Sequence, residues 1–140
     1  MAEQENVERV QAAYAAFQRG DIEGLLGFMT DDIDWDVPGS REAIPYAGRQ
    51  RGHAGVTQFF STLAQTEDIS HFEPREFIAQ GDKVVVLGNY KGRVKASNRT
   101  YDIDWLHIFT LRGDRIAAFR EFVDTAALAD AHRAATAQTA

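Results

Sequence analysis

The sequence predicts an α+β fold: one strongly curved antiparallel sheet with helices covering its concave face. Two observations carry that reading. The elements follow the order helix, helix, strand, helix, then four strands in a meander. The stretch Tyr101 to Asp124, YDIDWLHIFTLRGDRIAAFREFVD, reads as two strands joined at Gly113-Asp114, where glycine supplies the positive φ of a tight turn. At 140 residues the chain is of single-domain length and long enough for a real core. One domain over 1–140 is expected, with an ordered core of about 4–133.

Each element has its own signal. Gln4 to Arg19 carries Val7, Val10, Tyr14 and Phe17 at spacings of three and four, an apolar helical stripe that Gly20 stops. Asp21 caps a second helix, Ile22 to Met29. Thr30-Asp31-Asp32 reads as a break. Ile33 to Val37 alternates as a strand, with Ile33, Trp35 and Val37 on one face. Pro38-Gly39 ends it, and Ser40 to Gly52 reads as a loop long enough for a lid or pocket rim. Ala54 to Gln65 is a third helix lined by Val56, Phe59, Phe60 and Leu63. Ile69 to Ala79 is a strand whose Pro74 demands an edge or a bulge. Gly81-Asp82 leads into Lys83 to Val94, where Val84, Val86, Gly88 and Tyr90 share a face. After the hairpin, a short helix spans Thr125 to Arg133, and the Ala/Thr-rich end is expected to fray.

Composition excludes several classes. The chain has no cysteine, so it has neither disulfides nor thiolate chemistry. A formal charge of −6 without a basic cluster argues against nucleic acid. The polar, acidic start MAEQENVERV is unlike a signal peptide, and no apolar run reaches membrane-spanning length. A cytoplasmic protein with no membrane contact is the expectation.

Period-two alternation in the hairpin places Tyr101, Ile103, Trp105, His107, Phe109 and Leu111 on one face. From the second strand, Ala117, Phe119, Glu121 and Val123 join them, leaving Ile116, Ala118, Arg120 and Phe122 opposite. A histidine and a carboxylate among aromatics are candidates for acid–base chemistry. A carboxylate facing a core costs several kcal/mol unless it is paired or reaches a wet cavity. The bland alternatives are a neutral His107 bonded to a neighbour and a Glu121 paired with arginine or with His107. Tyr14, Tyr46 and Tyr90 offer hydroxyls to the same cavity. Trp35, Val37, Phe59, Phe77, Trp105 and Phe119 are its expected apolar lining. Asp34, Asp36, Asp102 and Asp104 read as solvated strand faces, and His53, His71 and His132 have no constellation around them. Only two ligand-type groups converge, so neither a metal nor a cofactor is expected.

YAAFQRGDIEGLLGFMTDDIDWDVPG, YAGRQRGHAGVTQFFSTL, FIAQGDKVVVLG and WLHIFTLRGDRIAAFREFVDTAAL together resemble the SnoaL-like proteins. These belong to the nuclear transport factor 2-like (NTF2-like) superfamily and are relatives of ketosteroid isomerase and limonene epoxide hydrolase. The resemblance covers nearly the whole chain and implies an NTF2-like cone: three helices from the N-terminal half over the concave face and a short C-terminal helix. It does not carry over a complete catalytic set. The isomerase's base is an aspartate before a proline, where this chain has Val37 before Pro38. The isomerase's oxyanion-binding tyrosine aligns one position before Tyr14, and its protonated aspartate falls at His107. Glu121 stands where the epoxide hydrolase has an aspartate, but that enzyme's other two catalytic residues fall near Gly88 and Tyr90. Polyketide cyclases of the SnoaL type pair an acidic base with a donor in an apolar pocket, roles that Glu121 and His107 can fill.

The expected function is therefore binding of a small hydrophobic molecule in a conical pocket, with acid–base catalysis of isomerase, cyclase or hydrolase type by Glu121 and His107. A non-catalytic binding module is the alternative. The convex face is expected to be apolar, with Leu106, Ile108, Ile116, Ala118, Phe122, Val85 and Leu87. A two-fold pairing of that face would cover it, as the resemblance also implies, so a homodimer is expected.

Overall fold

The computed structural model describes residues 2–138. Helix α1 (Ala2–Gln18) buries Val10, Ala13 and Tyr14, as its stripe requires, and the chain turns at Gly20. The Asp21 carboxylate accepts from the Gly24 amide at 2.8 Å and so caps α2 (Ile22–Leu26). Then come β1 (Met29–Val37), β2 (Gly48–Arg51), α3 (Gly52–Thr66), β3 (Glu67–Gln80) and β4 (Lys83–Val94). β5 (Thr100–Arg112), β6 (Arg115–Val123) and α4 (Thr125–Gln138) complete the chain. The helix outruns its expected end at Arg133, and residues 139–140 of the end expected to fray lie outside the described residues. Among the described residues, no helix is long and apolar enough to cross a membrane.

The curved, open six-stranded sheet has the order β2-β1-β6-β5-β4-β3. The meander from β3 to β6 is antiparallel throughout, but β1 runs parallel to β6, pairing Trp35 with Phe119. The sheet is therefore mixed and not wholly antiparallel. Turn residues report local reversals, and this pair joins strands far apart in sequence. Thr30-Asp31-Asp32 is also strand, with its pairing to β6 irregular between Met29 and Asp34. Strand β2 lies inside the expected lid, unannounced because GRQR has no apolar alternation. The preceding turn is folded down, with Ile44, Tyr46 and Ala47 buried and Arg41 donating to the Ala47 carbonyl at 2.8 Å. β3 is an edge strand with a register shift after Pro74, as the proline demanded.

A second irregularity changes which residues face inward. Thr110 pairs with Ala118 and Leu111 with Ile116, so Ala117 bulges and the alternation inverts before it. Ile116 is fully buried as a result, not part of the convex face. Val85, Leu87, Leu106, Ile108 and Ala118 remain half-buried there, and Phe122 is 44% exposed. Asn89, amid that face, is buried and donates to both Asp102 (2.8 Å) and Asp104 (3.0 Å).

Two glycines of β4 shape the concave side by being small. Gly88 pairs with Trp105, and a Cβ there would come within 2.3 Å of the indole. Gly92 pairs with Tyr101, and its Cβ would meet the phenol oxygen at 2.3 Å. Each therefore lets an aromatic ring from β5 lie against β4.

Candidate functional site

β5 and β6 pair His107 directly with Glu121, so both side chains rise from one point on the concave face. His107 Nε2 lies 2.9 Å from Glu121 Oε2, and His107 Nδ1 lies 2.7 Å from the Tyr14 hydroxyl of α1. The carboxylate needs a donor, which places the imidazole proton on Nε2 and leaves Nδ1 to accept from Tyr14. Tyr14, His107 and Glu121 thus form one directed chain of hydrogen bonds.

The surroundings set the protonation states. Burial lowers the His107 pKa, and the bond and charge of Glu121 only partly oppose it, so the ring is neutral at neutral pH. Burial, seconded by the Glu121 charge, holds the Tyr14 phenol well above its ordinary value. The Trp105 indole stacks on the His107 ring with centroids 3.9 Å apart and planes 14° from parallel. The Phe72 ring lies near parallel to both, its centroid 5.1 Å from that of the indole and 6.5 Å from that of the imidazole.

This triad opens on a small cavity of about 80 Å³. Tyr14, Trp35, Tyr46, Phe59, Tyr90, Trp105, Phe119, His107 and Glu121 line it, as the sequence predicts. Two expected residues do not. Val37 lies two positions beyond Trp35 where β1 meets Gly48, buried in the core past the cavity wall. Phe77 meets Tyr14 edge-on at 6.0 Å and supports that ring without lining the space. Phe17, Phe60, Phe72 and Phe109 line it without having been singled out. The first two sit on predicted apolar helix stripes, and Phe109 shares the His107 face, so the signal was present. No lysine or arginine is among the lining residues.

A second buried carboxylate was missed. Glu67, the first residue of β3, has a side chain with no exposed surface. It accepts short hydrogen bonds from Tyr46 and Tyr101, and His132 Nε2 of α4 lies 2.8 Å from Oε2. His132, read as isolated in sequence, is therefore held in a constellation. Its partners come from a loop, two strands and the terminal helix, so no local spacing announced it. Burial raises the pKa of Tyr46, Tyr90 and Tyr101. His53 bonds the Met29 carbonyl at 3.2 Å, and His71 faces Glu73 at 3.5 Å on the surface. Of the strand aspartates, Asp34 pairs with Arg49. Among the described residues, no group of three or more metal-ligating side chains is found.

Residues 10–119 match the SnoaL-like domain family. An NTF2-like protein from Burkholderia xenovorans LB400 is 43% identical, over 95% of this chain and 99% of that one, with a TM-score of 0.86. TerC, solved after co-crystallization with polyporic acid, is 32% identical over 91% of this chain and 97% of that one, with a TM-score of 0.82. A protein from Xanthomonas campestris pv. campestris, described as a candidate polyketide cyclase, shares the fold: 19% identity, 91% and 99% coverage, TM-score 0.73. No curated protein matches the chain.

Proposed function

The chain belongs to the SnoaL-like family, and from that premise we propose that it is an acid–base catalyst acting on a small, uncharged aromatic molecule in the cone. The observation that supports this reading most is the Tyr14–His107–Glu121 chain ending at the cavity. Glu121 Oε2 accepts from His107, whereas no described protein group occupies Oε1. That oxygen is the base. It takes a proton from a carbon next to a carbonyl, the charge moves onto the carbonyl oxygen, and Tyr90 donates a hydrogen bond there. Returning the proton from Glu121 to another carbon completes an isomerisation with no net change of atoms. His107 orients the carboxylate throughout, and Tyr14 fixes the imidazole tautomer. An apolar lining without a cation favours an uncharged ligand. Polyporic acid with the 32%-identical TerC supports a small organic occupant.

β-Tetralone in deuterium oxide, followed by proton NMR, tests this. The protein should exchange the ketone's α-protons, and Glu121→Gln should slow the exchange at least about 100-fold. Equal rates in both proteins, or none in the wild type, overturn the assignment of Glu121 as base. Binding without exchange would favour the non-catalytic module.

The same reading extends to assembly. Phe122, Leu106, Ile108, Val85 and Leu87 form an apolar strip on the convex face, and a second copy of this sheet covers it by two-fold symmetry. Leu106→Asp with Ile108→Asp should give monomers or insoluble protein in light scattering. A soluble dimer of that double variant would place any interface elsewhere.

A further inference from the structure

Most of the cavity lining is buried, and the exceptions lie together. Among the described residues that line it, only Phe17, Phe60, Leu63, Ile69, Phe72 and Glu121 are half-buried. The first five come from the end of α1, from α3 and from the start of β3. Phe17, Ile69 and Phe72 also line an open surface groove, together with Gln18, Ser70 and His71. Those three apolar side chains are therefore the partition between the cavity and the surface. Behind them, about 80 Å³ is well below the space of small-molecule sites, which span about 300–1,000 Å³. A ligand enters only if a wall moves.

The contacts of this partition make it the wall that moves most readily. β3 is an edge strand, with β4 as its one neighbour in the sheet. Its pairing with β4 slips between Ile69 and His71, so a bulge at Ser70 breaks the ladder beside the partition. Across the gap, the Gln18 side chain of α1 donates to the Phe72 carbonyl at 3.0 Å. That bond is exposed, and water replaces it at little cost. Phe17 and Phe72 meet edge to face, with centroids 5.0 Å apart. The Tyr46 wall is held differently: Tyr46 donates to the sealed Glu67, and Tyr101 and His132 grip the same carboxylate. Local opening follows the weaker contacts. Phe72 also lies against Trp105, so its departure uncovers the indole that stacks on His107.

We propose that the ligand enters between the end of α1 and the start of β3, through a gate of Phe17, Ile69 and Phe72 that opens when the bulged edge of β3 parts from α1. The proposal rests on the reading of the cavity as a site for a small uncharged molecule. It adds the route to that site and the segment that moves, and it makes Gln18 the latch.

The chain has no cysteine, so one introduced thiol reports on entry. Ala13 lines the cavity and is 3% exposed. In Ala13→Cys protein, N-ethylmaleimide, a small uncharged reagent, reaches the thiol only through whatever opens. Labelling is followed by intact-protein mass spectrometry at neutral pH, with stability measured in parallel by chemical denaturation. In that background, Gln18→Ala removes the latch and should speed labelling about fivefold, the weight of one net hydrogen bond. Ile69→Ala widens the gate and should speed it at least as much. Leu128→Ala loosens α4, which packs on β5 and not on the gate, and should leave the rate unchanged although it costs more stability. If Ile69→Ala does not fold, Gln18→Ala, at an exposed side chain, decides together with the control. Rates that follow global stability, with Leu128→Ala fastest, overturn the gate, because the thiol is then reached only by unfolding. An unchanged rate in Gln18→Ala overturns it as well. β-Tetralone should slow the labelling by filling the cavity. Absence of that protection sinks the reading of the ligand, and the order of the variant rates then decides the gate by itself.

Discussion

Glu121 and Glu67 each face tyrosine and histidine within one small core, yet they are completed differently. Glu121 accepts one described hydrogen bond and keeps 15% of its side chain exposed at the cavity. Glu67 accepts three and is fully covered. A buried carboxylate is tolerable when its lone pairs are filled, and a filled carboxylate has nothing left to offer a substrate. The open centre keeps an unfilled oxygen facing a space that a ligand can enter. On the proposed reading, the contrast separates a group that holds the fold from one positioned to react.

The largest expected effect breaks the sealed centre. Glu67→Ala leaves three donors facing an apolar hole and should cost about 3–5 kcal/mol. Glu121→Gln keeps shape and polarity at a cavity edge and should change stability by less than about 1 kcal/mol. Chemical denaturation of both variants at neutral pH measures the difference. Similar losses would mean that the two centres are equally structural.

The glycines of β4 sharpen the comparison at a smaller scale. Gly88 makes room for the Trp105 ring that stacks on His107, and Gly92 makes room for the Tyr101 hydroxyl that reaches Glu67. An alanine at either position forces the ring aside, at about 1–3 kcal/mol each by denaturation. The consequences should diverge. Gly88→Ala should disturb the His107 resonances and tetralone exchange, whereas Gly92→Ala should weaken the docking of α4 through Glu67 and His132. Amide exchange in α4 that is equal in the two variants would deny that the centres are separate.

The open centre was legible in the sequence because it obeys the period of the strand. His107 and Glu121 are cross-strand partners in a hairpin whose turn is announced by Gly113, and Tyr14 lies on an obvious helical stripe. The sealed centre obeys no period. Glu67 is a strand's first residue, Tyr46 sits in a loop and His132 on a helix that looked unremarkable. The bulge at Ala117, which turns Ile116 inward, and the parallel β1–β6 pair escaped for a related reason. Both depend on contacts between distant parts of the chain, while alternation and turn residues report only on neighbours.

The smallest expected effect concerns pH and belongs to the open centre. Burial lowers the His107 pKa, so the folded protein refuses a proton that the unfolded chain accepts below about pH 6.5. In that window the unfolded state binds more protons, and stability must fall as pH falls. The loss begins as pH drops through the unfolded value and ends once the folded ring also protonates. His107→Gln has no such proton to refuse. Denaturation of both proteins between about pH 7 and pH 5 should show a stability difference that narrows on acidification. A difference that widened on acidification would mean that His107 is already charged in the folded protein at neutral pH. Glu121 would then face an imidazolium, and the pair would be an ion pair closing the cavity instead of a base held open by a neutral donor.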